Sequence, residues 1–112
     1  MLLEPQAYLR ALADQTRLRM LVLLHQNPEL CVCELTHALG TVQPKISRHL
    51  AILRKLGVLR DRRQGQWIFY QINPDLPAWA ANTLSAVVDG AAQRPPFKSD
   101  AHALASMGDR PD

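Results

Sequence analysis

Two short apolar-periodic segments meeting at Gly40-Thr41, an alternating pair of segments around Gln64-Gly65, and a block of cations spanning both predict a mainly α fold with a small β-hairpin, a winged helix-turn-helix. The expected unit is one domain, residues 1–92, dimerised through its N- and C-terminal helices. Residues 93–112 are expected to form a poorly ordered tail.

In chain order, Ala7, Leu9, Ala11 and Leu12 lie among few breakers between Glu4 and Ala13, and predict a first helix with Pro5 in its opening turn. Asp14 or Thr16 caps a second. There Leu18 and Met20 to Leu24 place apolar groups on more than one side, as a central helix requires, and Asn27-Pro28 ends it. Leu35, Ala38 and Leu39, spaced i, i+3, i+4, predict a two-turn helix with Cys31 and Cys33 at its head. Gly40 stops that helix, Thr41 is the expected N-cap of the next, and Pro44 sits in a first turn where its missing N–H has no intrahelical partner.

From there Ile46, Leu50, Leu53 and Leu56 form a buried stripe, and Gly57 closes the helix. Gln43, Lys45, Ser47, Arg48, Arg54 and Lys55 are left outside, a set suited to base edges and phosphates. His49 is positioned either to contact phosphate or to pack beside Leu50. Arg60 to Arg63 and Trp67 to Ile72 alternate as two strands, with Ile68, Tyr70 and Ile72 on one face and Trp67, Phe69 and Gln71 on the other. This hairpin is the wing, and Arg62, Arg63 and Gln64 near its tip are expected to track DNA.

Asn73-Pro74 and Pro77 mark a break. Ala80, Leu84, Val87, Val88 and Ala91 then follow helical spacing with no evident partner in so short a chain, so they are expected to form a dimer seam. Past Ala92 proline and polar residues replace periodicity, hence the expected tail.

The net charge of +3 conceals an asymmetry. Seven cations against Asp61 between Thr41 and Gln66 make that segment +6, which leaves −3 for the rest of the 112 residues. That is the electrostatic footprint of a phosphate-binding surface, and double-stranded DNA is the expected partner. No apolar run exceeds Met20–Leu24, so no membrane contact is expected. The N-terminus lacks a secretion signal, and a cytoplasmic location follows.

In a reducing compartment the two cysteines are thiols available to a soft metal. Residues two apart in a helix point about 200° away from each other, so Cys31 and Cys33 reach one ion only where the start of their helix is unwound. Oxidation between subunits is the alternative, a local C-x-C disulfide being set aside as strained. A thiol reductase, which needs C-x-x-C beside a βαβ unit, is not expected, nor is any organic cofactor.

The context ELCVCEL, preceded by LADQTRLRMLVLL and followed by QPKISRHLAILRKLGVL and RRQGQWIFYQI, resembles the arsenic-responsive repressors of the ArsR/SmtB family over about residues 7 to 90. The resemblance implies a homodimeric repressor that binds its operator without ligand and is released when trivalent arsenic or antimony binds Cys31 and Cys33. Repressors of this pattern commonly carry a third cysteine three positions after the second. Thr36 stands there, leaving one place on arsenic for hydroxide, a small thiol or another protein group. Zinc-sensing members use Asp, His and Glu on the C-terminal helix, and Leu76 to Ala92 contains no histidine.

Overall fold

The computed structural model describes residues 2–108, 110 and 111. Its elements are α1 (Pro5–Leu12), α2 (Gln15–Gln26), β1 (Leu30–Cys31), α3 (Val32–Leu39), α4 (Gln43–Lys55), β2 (Leu59–Gln64), β3 (Trp67–Ile72), α5 (Ala78–Ala91) and α6 (Phe97–Ala105). This is the mainly α winged helix-turn-helix the sequence predicts, with one more strand and one more helix.

Pro5 opens α1, and the Asp14 carboxylate caps α2 by accepting from the Arg17 N–H at 3.0 Å. Every residue from Met20 to Leu24 is buried, so α2 is the axis around which the other helices pack. Tyr8 ties the N-terminal helix to α5. It is fully buried, donates its hydroxyl to Ala80 O at 2.7 Å, and meets Trp79 edge-on at 5.5 Å. Burial pushes its phenol pKa up to about 12.

The α3–α4 corner turns on Gly40, whose φ of 63° is a left-handed conformation that costs a glycine little. Val42, not Thr41, is the N-cap of α4, and its apolar side chain makes no cap hydrogen bond; Pro44 lies in the first turn as expected. Ile46, Leu50 and Leu53 are buried, Leu56 is half-buried, and Gly57 follows at φ 84°.

The sheet order is β1-β3-β2, antiparallel throughout. The hairpin pairs Leu59 with Ile72 through to Gln64 with Trp67, so the turn is Gly65-Gln66, one residue later than the sequence suggested. Tyr70 and Ile72 pack on the main core, while Phe69 on the opposite face is buried beneath the Arg62 guanidinium, 4.6 Å from its ring centroid. Cys31 pairs with Phe69 and Leu30 with Tyr70 in β1.

Two expectations are corrected. The stripe on α5 does have a partner within the chain: Ala80, Leu84, Val88 and Ala91 are buried in the protomer's own core, so Leu84 is not a seam residue. The supposed tail contains α6, which packs against α2 and α3. Leu104 is buried, and Phe97 and Ala101 pack on the same core. Asp100, only 3% exposed, accepts from Arg19 Nε at 2.8 Å and Nη2 at 2.7 Å. A bidentate pair that brings a carboxylate inside is what polar composition alone concealed. No helix is long and apolar enough to cross a membrane among the described residues.

Candidate dithiol site and nucleic-acid interface

Cys31 occupies two elements at once: it ends β1 and is the N-cap of α3, with extended dihedrals of φ −86° and ψ 167°. Because it lies outside the helix, the opposition expected of two helical residues does not apply. Its Cα is 5.4 Å from that of Cys33, and the two sulfurs are joined as a disulfide within the chain. That separation is within the span a disulfide bridges, so the local pairing set aside on sequence grounds is the one the fold makes, and no unwinding of α3 is needed.

Glu34 fixes this corner. Its carboxylate is buried, accepts from the Cys31 N–H at 2.8 Å, and accepts from Arg110 Nε at 2.6 Å. The pattern Cys-x-x-Glu is a capping box with cysteine in the place of serine, a signal legible in the sequence. Thr36, in the third-cysteine position, donates its hydroxyl to Val32 O at 2.8 Å. His37 is exposed. Among the described residues no three His, Cys, Asp or Glu side chains converge on a metal position.

A cavity of about 510 Å³ opens on the cysteines, walled by α3, by Gln43 at the start of α4 and by Trp67 and Ile68 of β3. The dithiol and the first residue of the second helix therefore share one wall.

On α4, Gln43, Lys45, Arg48, Arg54 and Lys55 are exposed and Ser47 is half-exposed, with Gln43 Nε2 3.5 Å from Ser47 Oγ. The structure adds Val42, 65% exposed beside Gln43 at the tip of the helix, an apolar group that a polar and basic pattern does not reveal. His49 points inward instead. It is 7% exposed, with Nδ1 3.2 Å from Arg17 Nη1 and 4.0 Å from Asp14, and desolvation holds its pKa below the ordinary value. It is therefore a packing residue at the α2–α4 contact and not a phosphate ligand.

The wing divides by strand alternation. Arg63, opposite Ile68 in the hairpin, is exposed and makes no ion pair among the described residues. Arg62 faces the other way. Both of its outer nitrogens are taken: Nε and Nη2 donate to Glu29 at 2.7 Å and Nη1 to Gln64 at 2.6 Å. This hydrogen bonding lowers the Glu29 pKa. Arg60 is paired with Asp75.

Residues 14–61 match the bacterial regulatory protein, arsR family. Over 110 residues, 98% of this chain and 84% of the relative, the sequence is 52% identical to the arsenic resistance transcriptional regulator ArsR1 of Pseudomonas putida KT2440. The chain belongs to the arsR family. It is also 52% identical over 82 residues to the arsenical resistance operon repressor of Escherichia coli K12, covering 73% of this chain and 70% of the relative. Among solved structures, HlyU from Vibrio cholerae N16961 superposes with a TM-score of 0.69 at 31% identity, covering 78% of this chain and 90% of that one.

An arsR-family chain is a transcriptional regulator and not an enzyme. Three groups in it escaped sequence reasoning. Glu34 was signalled by its spacing from Cys31; Val42 and the Asp14–Arg17–His49 cluster depend on how α2 and α4 cross, which spacing does not encode.

Proposed function

We propose that this regulator is a repressor that binds double-stranded operator DNA as a homodimer and leaves it when trivalent arsenic or antimony is bound by Cys31 and Cys33. The observation that carries the reading is the meeting of the two sulfurs at the junction of β1 and α3, in a cavity whose wall includes Gln43. Soft thiolates select trivalent metalloids over hard cations. With the Thr36 hydroxyl engaged by Val32 O, the remaining position on arsenic falls to hydroxide or a small thiol.

Release follows from where the thiols sit. Drawing Cys31 and Cys33 onto one atom acts on the β1–β3 pairing and on the first turn of α3 together. The end of that helix is tied to α2, with Leu39 O accepting from Arg19 Nη2 at 3.2 Å, and α4 begins four residues later. A ligand that favours the altered corner shifts the population away from the DNA-competent arrangement. On DNA, Gln43 and Ser47 meet base edges, while Lys45, Arg48, Arg54 and Arg63 meet phosphates. Arg62, and Gln64 with it, takes part only by exchanging Glu29 for phosphate. The dimer surface is assigned to the exposed apolar groups of the terminal helices, Leu9 of α1 and Trp79 of α5.

A second reading has an observation of its own, the bonded sulfurs: peroxide would oxidise the dithiol to this disulfide, giving two waters, and the same corner would respond. Fluorescence anisotropy with labelled operator separates the two. Kept reduced by a phosphine, the parent is expected to release DNA on addition of arsenite, and Cys31→Ser and Cys33→Ser to bind DNA but not release it. Release of the double serine variant at the parent's arsenite concentration would refute the assignment. Release by peroxide alone would favour the redox reading.

A further inference from the structure

Of the three arginines in β2, two are already held by carboxylates of the same chain. By strand alternation Arg60, Arg62 and Gln64 share one face and Arg63 lies on the other. Arg60 pairs with Asp75 and Arg62 with Glu29, while Arg63 makes no ion pair among the described residues.

The Arg62 pair is built more completely than an ordinary surface contact. The guanidinium lies over the Phe69 ring, Nε and Nη2 donate to the two Glu29 oxygens at 2.7 Å, and Nη1 donates to Gln64 Oε1 at 2.6 Å. The short strand β1 carries Glu29 to that place. Glu29 directly precedes Leu30, and the pairing of Leu30 with Tyr70 and of Cys31 with Phe69 fixes this segment against β3. Phe69 is in turn the cross-strand neighbour of Arg62. The Arg62 side chain is still 47% exposed, so an anion from outside the chain has access to it.

Two carboxylate oxygens on the fork of an arginine occupy the donors that a DNA phosphate would take. We propose that Glu29 is an internal competitor of DNA phosphate for Arg62, an autoinhibitory carboxylate that lowers both the affinity of the wing for DNA and the salt dependence of binding. This rests on the reading of the hairpin as a DNA-contacting wing. When the duplex docks, Arg62 exchanges Glu29 for phosphate. The phosphate gives up its condensed cation, but the uncovered carboxylate beside the duplex takes one up in return, so the exchange adds little net salt dependence. Without the Glu29 charge there is no such return, and the Arg62 contact steepens the log–log salt slope by about 0.9. Carried from about 1 M salt down to about 0.15 M, that difference is about a fivefold gain in affinity.

The test measures the anisotropy of a labelled operator duplex and of a scrambled duplex over a range of salt concentrations, for the parent, Glu29→Gln, Arg62→Ala and the double variant. Glu29→Gln, which keeps the shape of the side chain, is expected to bind both duplexes about fivefold tighter at about 0.15 M salt, with a slope steeper by about one. Glu29→Ala, measured alongside, is expected to do the same, and urea unfolding checks that each variant is folded. Arg62→Ala alone is expected to stay within about twofold of the parent, and in the Glu29→Gln background to abolish the gain. Unchanged or weaker binding by both folded Glu29 variants overturns the proposal, as does a gain that persists without Arg62 and so reflects net charge only. Weakening by Arg63→Ala in either case leaves the wing on DNA. If neither Arg63→Ala nor Arg62→Ala in the Glu29→Gln background weakens binding, the wing reading itself fails.

Discussion

Replacing Asp100 with alanine should cost this protein much of its stability, although the residue lies in a segment whose composition suggests disorder. Asp100 is 3% exposed and accepts two hydrogen bonds from Arg19, which is 22% exposed and also donates to Leu39 O. Removing one partner of a fully buried pair costs about 3–5 kcal/mol, because the other charge is stranded. Arg19 reaches water in part, so we expect about 2–3 kcal/mol. With a urea m-value of about 1.5 kcal/mol/M, that lowers the unfolding midpoint by roughly 1.3–2 M. Asp100→Leu combined with Arg19→Leu should recover part of the loss, since no unpaired charge remains. A single-variant loss below about 0.5 kcal/mol, the range of ordinary surface substitutions, would mean that α6 is not docked on α2 and α3.

The lowered His49 pKa, caused first by burial, makes the unfolded chain the better proton acceptor, so His49 favours the fold above about pH 6.5 and this contribution falls as pH drops below that value. Urea unfolding from pH 7 to pH 5 should show the decline, and His49→Phe should flatten it; an unchanged slope would place His49 in solvent. Arg63→Ala should weaken binding on every DNA sequence and reduce the salt slope by about one unit, whereas Gln43→Ala should change sequence preference with little change in slope. Equal behaviour of the two variants would contradict the division between phosphate and base contacts. Leu9→Glu with Trp79→Glu places charge on the exposed apolar groups of α1 and α5 and should give a monomer by sedimentation. Persistence of a dimer would move the interface elsewhere.

The elements that sequence resolves well are those whose pattern is local. Ile46, Leu50 and Leu53 repeat along one face, and the alternation from Trp67 to Ile72 needs only the hairpin's own turn. What stays hidden depends on distant partners. β1 is two residues long and becomes a strand only because Tyr70 and Phe69 lie opposite. Its existence changes the chemistry of the site, since it takes Cys31 out of the helix and lets its sulfur meet that of Cys33. The helix α6 depends on Arg19, 81 residues from Asp100. The α5 stripe looked unpartnered because its partners belong to α1 and α2, as the bond from Tyr8 to Ala80 shows. Charge counting located the basic surface, but it could not tell Arg63, which is open, from Arg62, which Glu29 holds.

In the proposed mechanism one trivalent arsenic, bound by both cysteines of a chain, causes release from DNA. Titrating reduced protein on labelled operator with arsenite, while counting by alkylation and mass spectrometry the thiols still free at each point, puts this to the test. Loss of reactivity at Cys31 and Cys33 together, two thiols for each arsenic bound and in step with the fall in anisotropy, is the predicted result. Release of operator while either thiol remains fully open to alkylation would contradict it.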